Sequence, residues 1–182
     1  TIPSRPQRVC ALAFADELIA LGVKPVAVPS DWRGETVDYL AEQLRGAQPV
    51  IHGYASWLPS FESIAAVRPD LILICPSDRH DNEQLATIAP TIVLRDFQTS
   101  LHENRSLDAL RKRLRDLAIV LNREPEAARA IAEFDRHLAA VRADLAVRAR
   151  GKTLAFFRTR EREWRLYGRR GDSGAEAIYD AL

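Results

Sequence analysis

One stretch limits what this chain can fold into: Glu124 to Arg150, EPEAARAIAEFDRHLAAVRADLAVRAR. Its large apolar residues, Ile131, Phe134, Leu138, Val141 and Leu145, are spaced three, four, three and four apart. That spacing puts all of them on one narrow stripe of a helix. The intervening Ala, Arg, Glu and Asp residues are compatible with a helix in water. Pro125 suits the first helical position, where its missing N–H costs nothing. Asn122 can stop the preceding helix and Gly151 can end this one. A helix over this stretch is roughly 39 Å long, about the width of a domain. A core helix needs a wide apolar face, and this stripe is thin. The stretch therefore reads as a strut with different material at each end. With only about three heptads, it is short for a coiled coil.

Upstream of the strut, short apolar runs alternate with helical patterns. Strands are expected at Arg8–Ala13, Pro25–Val28, Pro49–Ile51, Asp70–Cys75 and Thr91–Leu94. Between them, helices are expected at Glu17–Leu21 behind an Asp16 cap, at Thr36–Leu44 closed by Gly46, and at Phe61–Val67 capped by Ser60. A further helix runs to Ala89 from an approximate Asp81/Gln84 capping box. Ser106–Leu121 carries Leu107, Leu110, Leu114, Leu117 and Leu121 on one face. Asp70–Cys75, DLILIC, is apolar on both faces, as in a parallel sheet covered by helices. The fold class is α/β: a doubly wound parallel-sheet N-terminal lobe over residues 1–121, then a backbone helix over 122–150. Residues 151–182 read as the start of a second α/β lobe that this chain does not complete. There Lys152–Phe157 is strand-like, Glu163–Tyr167 is its hairpin partner, and Ala175–Leu182 begins a helix.

Composition narrows the function. The chain has 182 residues, 47% hydrophobic and 28% charged, with a net charge of +1. No bulk attraction to nucleic acid or membrane follows from that charge. There is no methionine, so Thr1 is expected to arise by processing rather than as a translation start. No apolar run approaches the length that spans a bilayer. Cys10 and Cys75 sit in apolar runs and read as buried free thiols. The chain lacks a G-x-G-x-x-G, a P-loop, a G-x-S-x-G elbow and a clustered Cys/His set. No catalytic residue is assigned, and no enzyme is expected. The adjacent acids Asp16 and Glu17 are explained by the N-terminal end of a helix.

Ligands of doubly wound sheets bind where the carboxyl ends of the strands emerge. The loops there supply Trp32 and Arg33, Tyr54 and Trp57, and Arg79 and His80. The loop expected after KTLAFF supplies Arg158, Arg160, Arg162 and Trp164. Aromatic faces and arginines in a cleft suit a bulky, anionic or aromatic ligand. Two strand-end histidines, His52 and His80, with Asp78 are too few for a dedicated metal site. No metal ligands are assigned.

The motifs carry a resemblance. RVCALAFADELIALGVKPVAV (Arg8–Val28), PSFESIAAVRPDLILI (Pro59–Ile74), LATIAPTIVL (Leu85–Leu94) and WRLYGRRGDSGAEAIYDAL (Trp164–Leu182) occur in order around the strut. Together they resemble the helical-backbone substrate-binding proteins of ABC importers, the family of periplasmic binders of ferric siderophores and cobalamin. The resemblance implies a ferric siderophore as transported ligand, no intrinsic cofactor, and an exported protein that delivers to a membrane permease. It also implies that Glu62, at the Pro-x-x-Glu position after Pro59, docks on permease arginines. The Arg and Tyr of hydroxamate-binding members are replaced here by Ser56 and Asp78, and Trp57 is similar to a tryptophan of cobalamin-binding members. The alternatives are a cobalamin or haem binder of the same fold, a direct metal-ion binder, and a ligand-sensing domain of a regulator.

Overall fold

Four consecutive large aliphatic residues, Leu71–Ile74, form a strand with every side chain buried. Because side chains alternate along a strand, this run needs apolar cover on both faces. The computed structural model describes residues 2–30, 38–51, 60–75, 82–94, 107–153, 155–160 and 163–167. Within them the strands of the larger sheet are β1 (Val9–Ala11), β2 (Ala27–Ser30), β3 (Gln48–Ile51), β4 (Leu71–Ile74) and β5 (Thr91–Val93). All pair in parallel in the order β3-β2-β1-β4-β5. The helices are α1 (Ala15–Ala20), α2 (Phe61–Ala66), α3 (Asn82–Ile88), α4 (Leu107–Leu121) and α5 (Glu124–Arg148).

The sheet has two cores. Val9, Ala11, Leu71 and Leu73 pack with Leu18 of α1 and Leu21 just past its end, Leu117 and Leu121 of α4, and Ala127 of α5. Cys10, Leu12, Ile72 and Ile74 pack on the opposite face with Ile64 of α2 and Leu85 of α3. Each fully buried Leu or Ile contributes about 1.5–3 kcal/mol of apolar transfer energy. Cys10 and Cys75 are both buried, and they belong to opposite faces. That separation rules out a disulfide between them in this fold.

Asp70, just before β4, has a structural role at the amino edge of the sheet. The Asp70 carboxylate accepts the backbone N–H of Gln7 at 2.7 Å and of Arg8 at 2.9 Å. The Arg8 guanidinium donates to the carbonyls of Val67 and Arg68, at the end of α2. This clamp holds Arg8 just outside the β1 ladder. At the other end, the N–H groups of Leu12 and Ala13 both donate to the Leu73 carbonyl, which ends the pairing. The strand expected over Arg8–Ala13 is trimmed to three residues for these reasons.

Other boundaries also shift. Helix α1 starts before Asp16, at Ala15, after Phe14 in a left-handed conformation with φ of 68° and no side-chain cap. The helix expected at Thr36–Leu44 has, in its described part, a 3-10 turn at Asp38–Leu40 followed by turns to Gly46. Only Leu40 and Leu44 anchor it to the core, enough for one helical turn, marked by the Leu44 N–H to Leu40 carbonyl bond of 2.8 Å. Ser60 caps α2 as expected, its hydroxyl accepting the Ser63 N–H at 3.1 Å.

Helix α5 has 25 residues, about 37 Å, and Pro125 lies in its first turn. Its opening turns are held to the sheet domain: Ala127 and Ile131 are buried. Arg111 of α4 bonds Asp135 of α5 at 2.9 Å and stacks 5.6 Å from the centre of the Phe134 ring. Farther along, the stripe is less covered, and Val141 is 48% exposed. Gly151, at φ of 75°, makes the turn out of α5, and the Lys152 N–H bonds back to the Ala149 carbonyl. The next strand therefore begins later than Lys152. It is β6 (Phe156–Arg160), paired antiparallel with β7 (Glu163–Tyr167).

Candidate functional site

The five parallel strands end at Ala11, Ser30, Ile51, Ile74 and Val93, side by side along one edge. The candidate residues follow three of those ends in the sequence. Trp32 and Arg33 come after β2, Tyr54 and Trp57 after β3, and Arg79 and His80 after β4. Parallel pairing thus anchors the loops that carry them on one side of the sheet, where this architecture takes its ligands. The six residues lie outside the described residues, as do His52, Ser56 and Asp78.

The described part of that edge holds a group of residues that sequence reasoning missed. Glu17 is not a solvated first-turn acid. Its carboxylate is 8% exposed and forms an ion pair with Arg113 of α4. The Arg113 guanidinium lies 5.3 Å from the centre of the Phe14 ring. Burial pushes the Glu17 carboxyl above its ordinary value, opposed by the charge of Arg113 and reinforced by that of Asp16. Two spacings carried the signal. Arg113 lies four residues before Leu117, on the apolar side of α4, and Glu17 lies four residues before Leu21, on the buried side of α1. A buried acid on one helix and a buried base on another must meet to be tolerated.

Beside them stands Tyr39, 69% exposed. The charge of Asp16 raises its phenol pKa first, with burial and a hydrogen bond to the Asp16 carboxylate adding to it. The 3-10 turn thus presents an aromatic ring, held at its hydroxyl, six residues after Arg33 in the sequence.

Glu62 lies in the first turn of α2, exposed, and no ion pair engages it among the described residues. Since α2 follows the carboxyl end of β3, this carboxylate stands at the same edge on the other face of the sheet.

The placement of the second arginine group is corrected. Arg158 and Arg160 lie within β6, and Trp164 lies within β7, rather than in a loop after a strand ending at Phe157. The Cα partner of Arg158 is Arg165. On one face of the hairpin, Phe157 and Trp164 stack with ring centres 5.0 Å apart, and Leu166 beside them is 73% exposed. Among the described residues the hairpin thus carries an exposed apolar face.

Among the described residues, no three His, Cys, Asp or Glu side chains gather as a metal site. No helix among them is long and apolar enough to cross a membrane.

Residues 10–175 match the family described as periplasmic binding protein. A probable siderophore-binding lipoprotein, YfiY of Bacillus subtilis, is 30% identical over 171 residues, covering 91% of this chain and 48% of that protein. The ferric-anguibactin-binding protein FatB of Vibrio anguillarum is 30% identical over 151 residues, covering 81% of this chain and 45% of its own length. The chain spans about half the length of these relatives. Among solved structures, the siderophore binding protein BauB, bound to two acinetobactin molecules and ferric iron, superposes with a TM-score of 0.76 at 26% identity. That match covers 99% of this chain and 61% of BauB. Staphylococcus aureus SirA, complexed with staphyloferrin B, shares the fold at a TM-score of 0.72 and 23% identity, over 100% of this chain and 59% of SirA.

Proposed function

The chain belongs to the periplasmic binding protein family, and from that membership we propose that it is the substrate-binding component of an ABC importer for a ferric siderophore. The reading rests on one observation. Strands of a single parallel sheet carry the aromatic- and arginine-bearing loops on one edge, and a 25-residue helix follows that sheet. In this reading residues 1–121 form the first lobe, 122–150 the backbone between lobes, and 151–182 the opening of the second lobe. Trp32, Arg33, Tyr54, Trp57, Arg79 and His80 contact the chelate from one side, and Arg158 from the other. The protein is exported, performs no catalysis, and passes its ligand to an inner-membrane permease through Glu62.

The chemistry is that of recognition. Arginine guanidinium groups meet the carboxylate or catecholate oxygens of the chelate, and indole and phenol rings cover its apolar arms. The ferric ion arrives already coordinated, so the protein needs no metal ligands of its own. The test is titration with ferric acinetobactin, ferric citrate, haem and cobalamin, followed by tryptophan fluorescence. A ferric chelate quenches saturably, and Trp57→Ala weakens its binding by about 1–3 kcal/mol, as for a buried aromatic anchor. Saturable quenching by haem or cobalamin alone overturns the siderophore reading. For Glu62, the Glu62→Ala variant keeps its ligand affinity and loses uptake of labelled ligand in cells. An interfacial charge facing unpaired arginines is worth about 2–5 kcal/mol of association when removed. Normal uptake by that variant removes the docking role.

A further inference from the structure

The sheet has a second edge, and it holds a cavity unrelated to the ligand loops. The segment before β1, the turn between α1 and β2, and the α4–α5 junction converge at the amino ends of the strands. Between them lies an open cavity of about 440 Å³, lined by Arg5, Gln7, Lys24, Asn122 and Arg123 among others. We propose that this cavity binds a phosphate-bearing anion.

Three observations carry the assignment. The first is charge: three cations from three separate segments line the cavity, and no acidic residue among the described residues does. Arg5 and Lys24 have no ion-pair partner among the described residues. The nearby carboxylates already have partners, one of them Arg123 at the cavity wall. Asp70 takes the backbone N–H groups of Gln7 and Arg8, and Glu126 sits 3.5 Å from Arg123 and 3.6 Å from Arg129. Arg123 has Glu126 as counter-charge, whereas Arg5 and Lys24 converge on the cavity without one among the described residues, and an anion between these two relieves their repulsion.

The second is donor type. Two guanidinium groups offer planar forks that match phosphate oxygens, and the ammonium of Lys24 adds a point charge. The carboxamides of Gln7 and Asn122 add neutral polar groups at the same wall.

The third is the fixing of the walls. The Asn122 side chain donates to the Ser4 carbonyl and ties the N-terminal segment to the helix junction. Gly22, at φ of 69°, makes the left-handed turn that leads into Lys24. The Asp70 clamp holds Gln7. The cavity lies within the size range of small-molecule sites, larger than one ion needs. A diphosphate or a phosphorylated headgroup therefore fits the site better than a halide.

The phosphate could be free in solution or displayed on a lipid headgroup, and the experiment separates the two. The protein is titrated calorimetrically with inorganic pyrophosphate at constant ionic strength. It is also sedimented with vesicles of phosphatidylcholine, with and without phosphatidic acid. Saturable pyrophosphate binding is expected, weakened about tenfold or more in Arg5→Gln/Lys24→Gln, in line with loss of charge-assisted bonds. Both side chains are exposed, so the variant keeps its thermal midpoint. Vesicle binding that needs phosphatidic acid and fails in the variant assigns the lipid source, whereas pyrophosphate binding without vesicle binding assigns the free one. Absence of saturable binding to either probe overturns the proposal. So does binding that the double substitution leaves unchanged.

Discussion

Replacing Arg113 by alanine isolates the ion pair that the two helix patterns hide. The substitution removes the cation facing Glu17 and leaves a carboxylate whose side chain is 8% exposed. Removing one partner of a buried pair costs about 3–5 kcal/mol, because the surviving charge is left without compensation. Glu17 also lines a groove of about 260 Å³ between α1, α4 and α5, which gives water access to one side. The lower end of the range applies, and the expected loss near neutral pH is about 3 kcal/mol. That is a large share of the roughly 5–15 kcal/mol that holds a domain folded.

The pH dependence tells this mechanism from simple loss of packing. In the folded protein, burial holds the Glu17 carboxyl above its ordinary value of 4.5. Between 4.5 and the folded value, the folded state keeps a proton that the unfolded chain has released. Stability from this group therefore falls as pH rises through that window. Arg113 is the main influence lowering the folded value. Without it the window extends upward, and the charged carboxylate destabilises the variant more at neutral pH. The deficit of Arg113→Ala is therefore largest near neutrality and shrinks as pH falls toward 4.5. Urea unfolding followed by far-ultraviolet circular dichroism at both pH values measures it. A deficit below about 1 kcal/mol at neutral pH, the worth of a solvated surface pair, refutes the reasoning. So does a deficit of equal size at the two pH values, which is the mark of lost contacts alone. Adding Glu17→Gln to the variant recovers stability near neutrality, since no buried charge then remains.

Two further outcomes follow from the edges and faces of the sheet. Asp70→Ala leaves the Gln7 and Arg8 N–H groups without their acceptor at an exposed site, so thermal unfolding shows a loss of about 1–2 kcal/mol; an unchanged midpoint removes the clamp. Burial pushes the Cys10 thiol up to about 12, so a disulfide reagent labels it only on unfolding. Labelling at neutral pH in the folded state contradicts its placement.

What the sequence made legible follows from how each element is stabilised. The DLILIC run, the leucine stripe of α4 and the strut are held by apolar burial, and burial leaves a period in the sequence. Parallel pairing and helix layering follow from that period and from the alternation of strand and helix, whereas the order β3-β2-β1-β4-β5 leaves no period of its own. The misplaced boundaries were set instead by hydrogen bonds that have no period. The Arg8–Asp70 clamp shortens β1, and the Gly151 turn delays β6 to Phe156, which moves Arg158 from a loop into a strand.

The candidate site divides along the same line. Parallel pairing fixes which loops share an edge, and that pairing was readable. The individual contacts of a loop residue depend on backbone geometry that composition does not encode. Glu17 and Arg113 lie between these cases. Both fall on the buried side of a readable helix, yet charge alone marks a residue as solvated unless its partner on another helix is considered. A charged residue in register with an apolar stripe is therefore evidence of a second one elsewhere, of opposite sign. In this chain that rule selects Arg113, on the leucine side of α4, and then Glu17, on the Leu21 side of α1. Arg115 is exposed and falls outside it, whereas Arg111, between Leu107 and Leu114, is a second instance at the margin of the stripe, answered by Asp135 of α5.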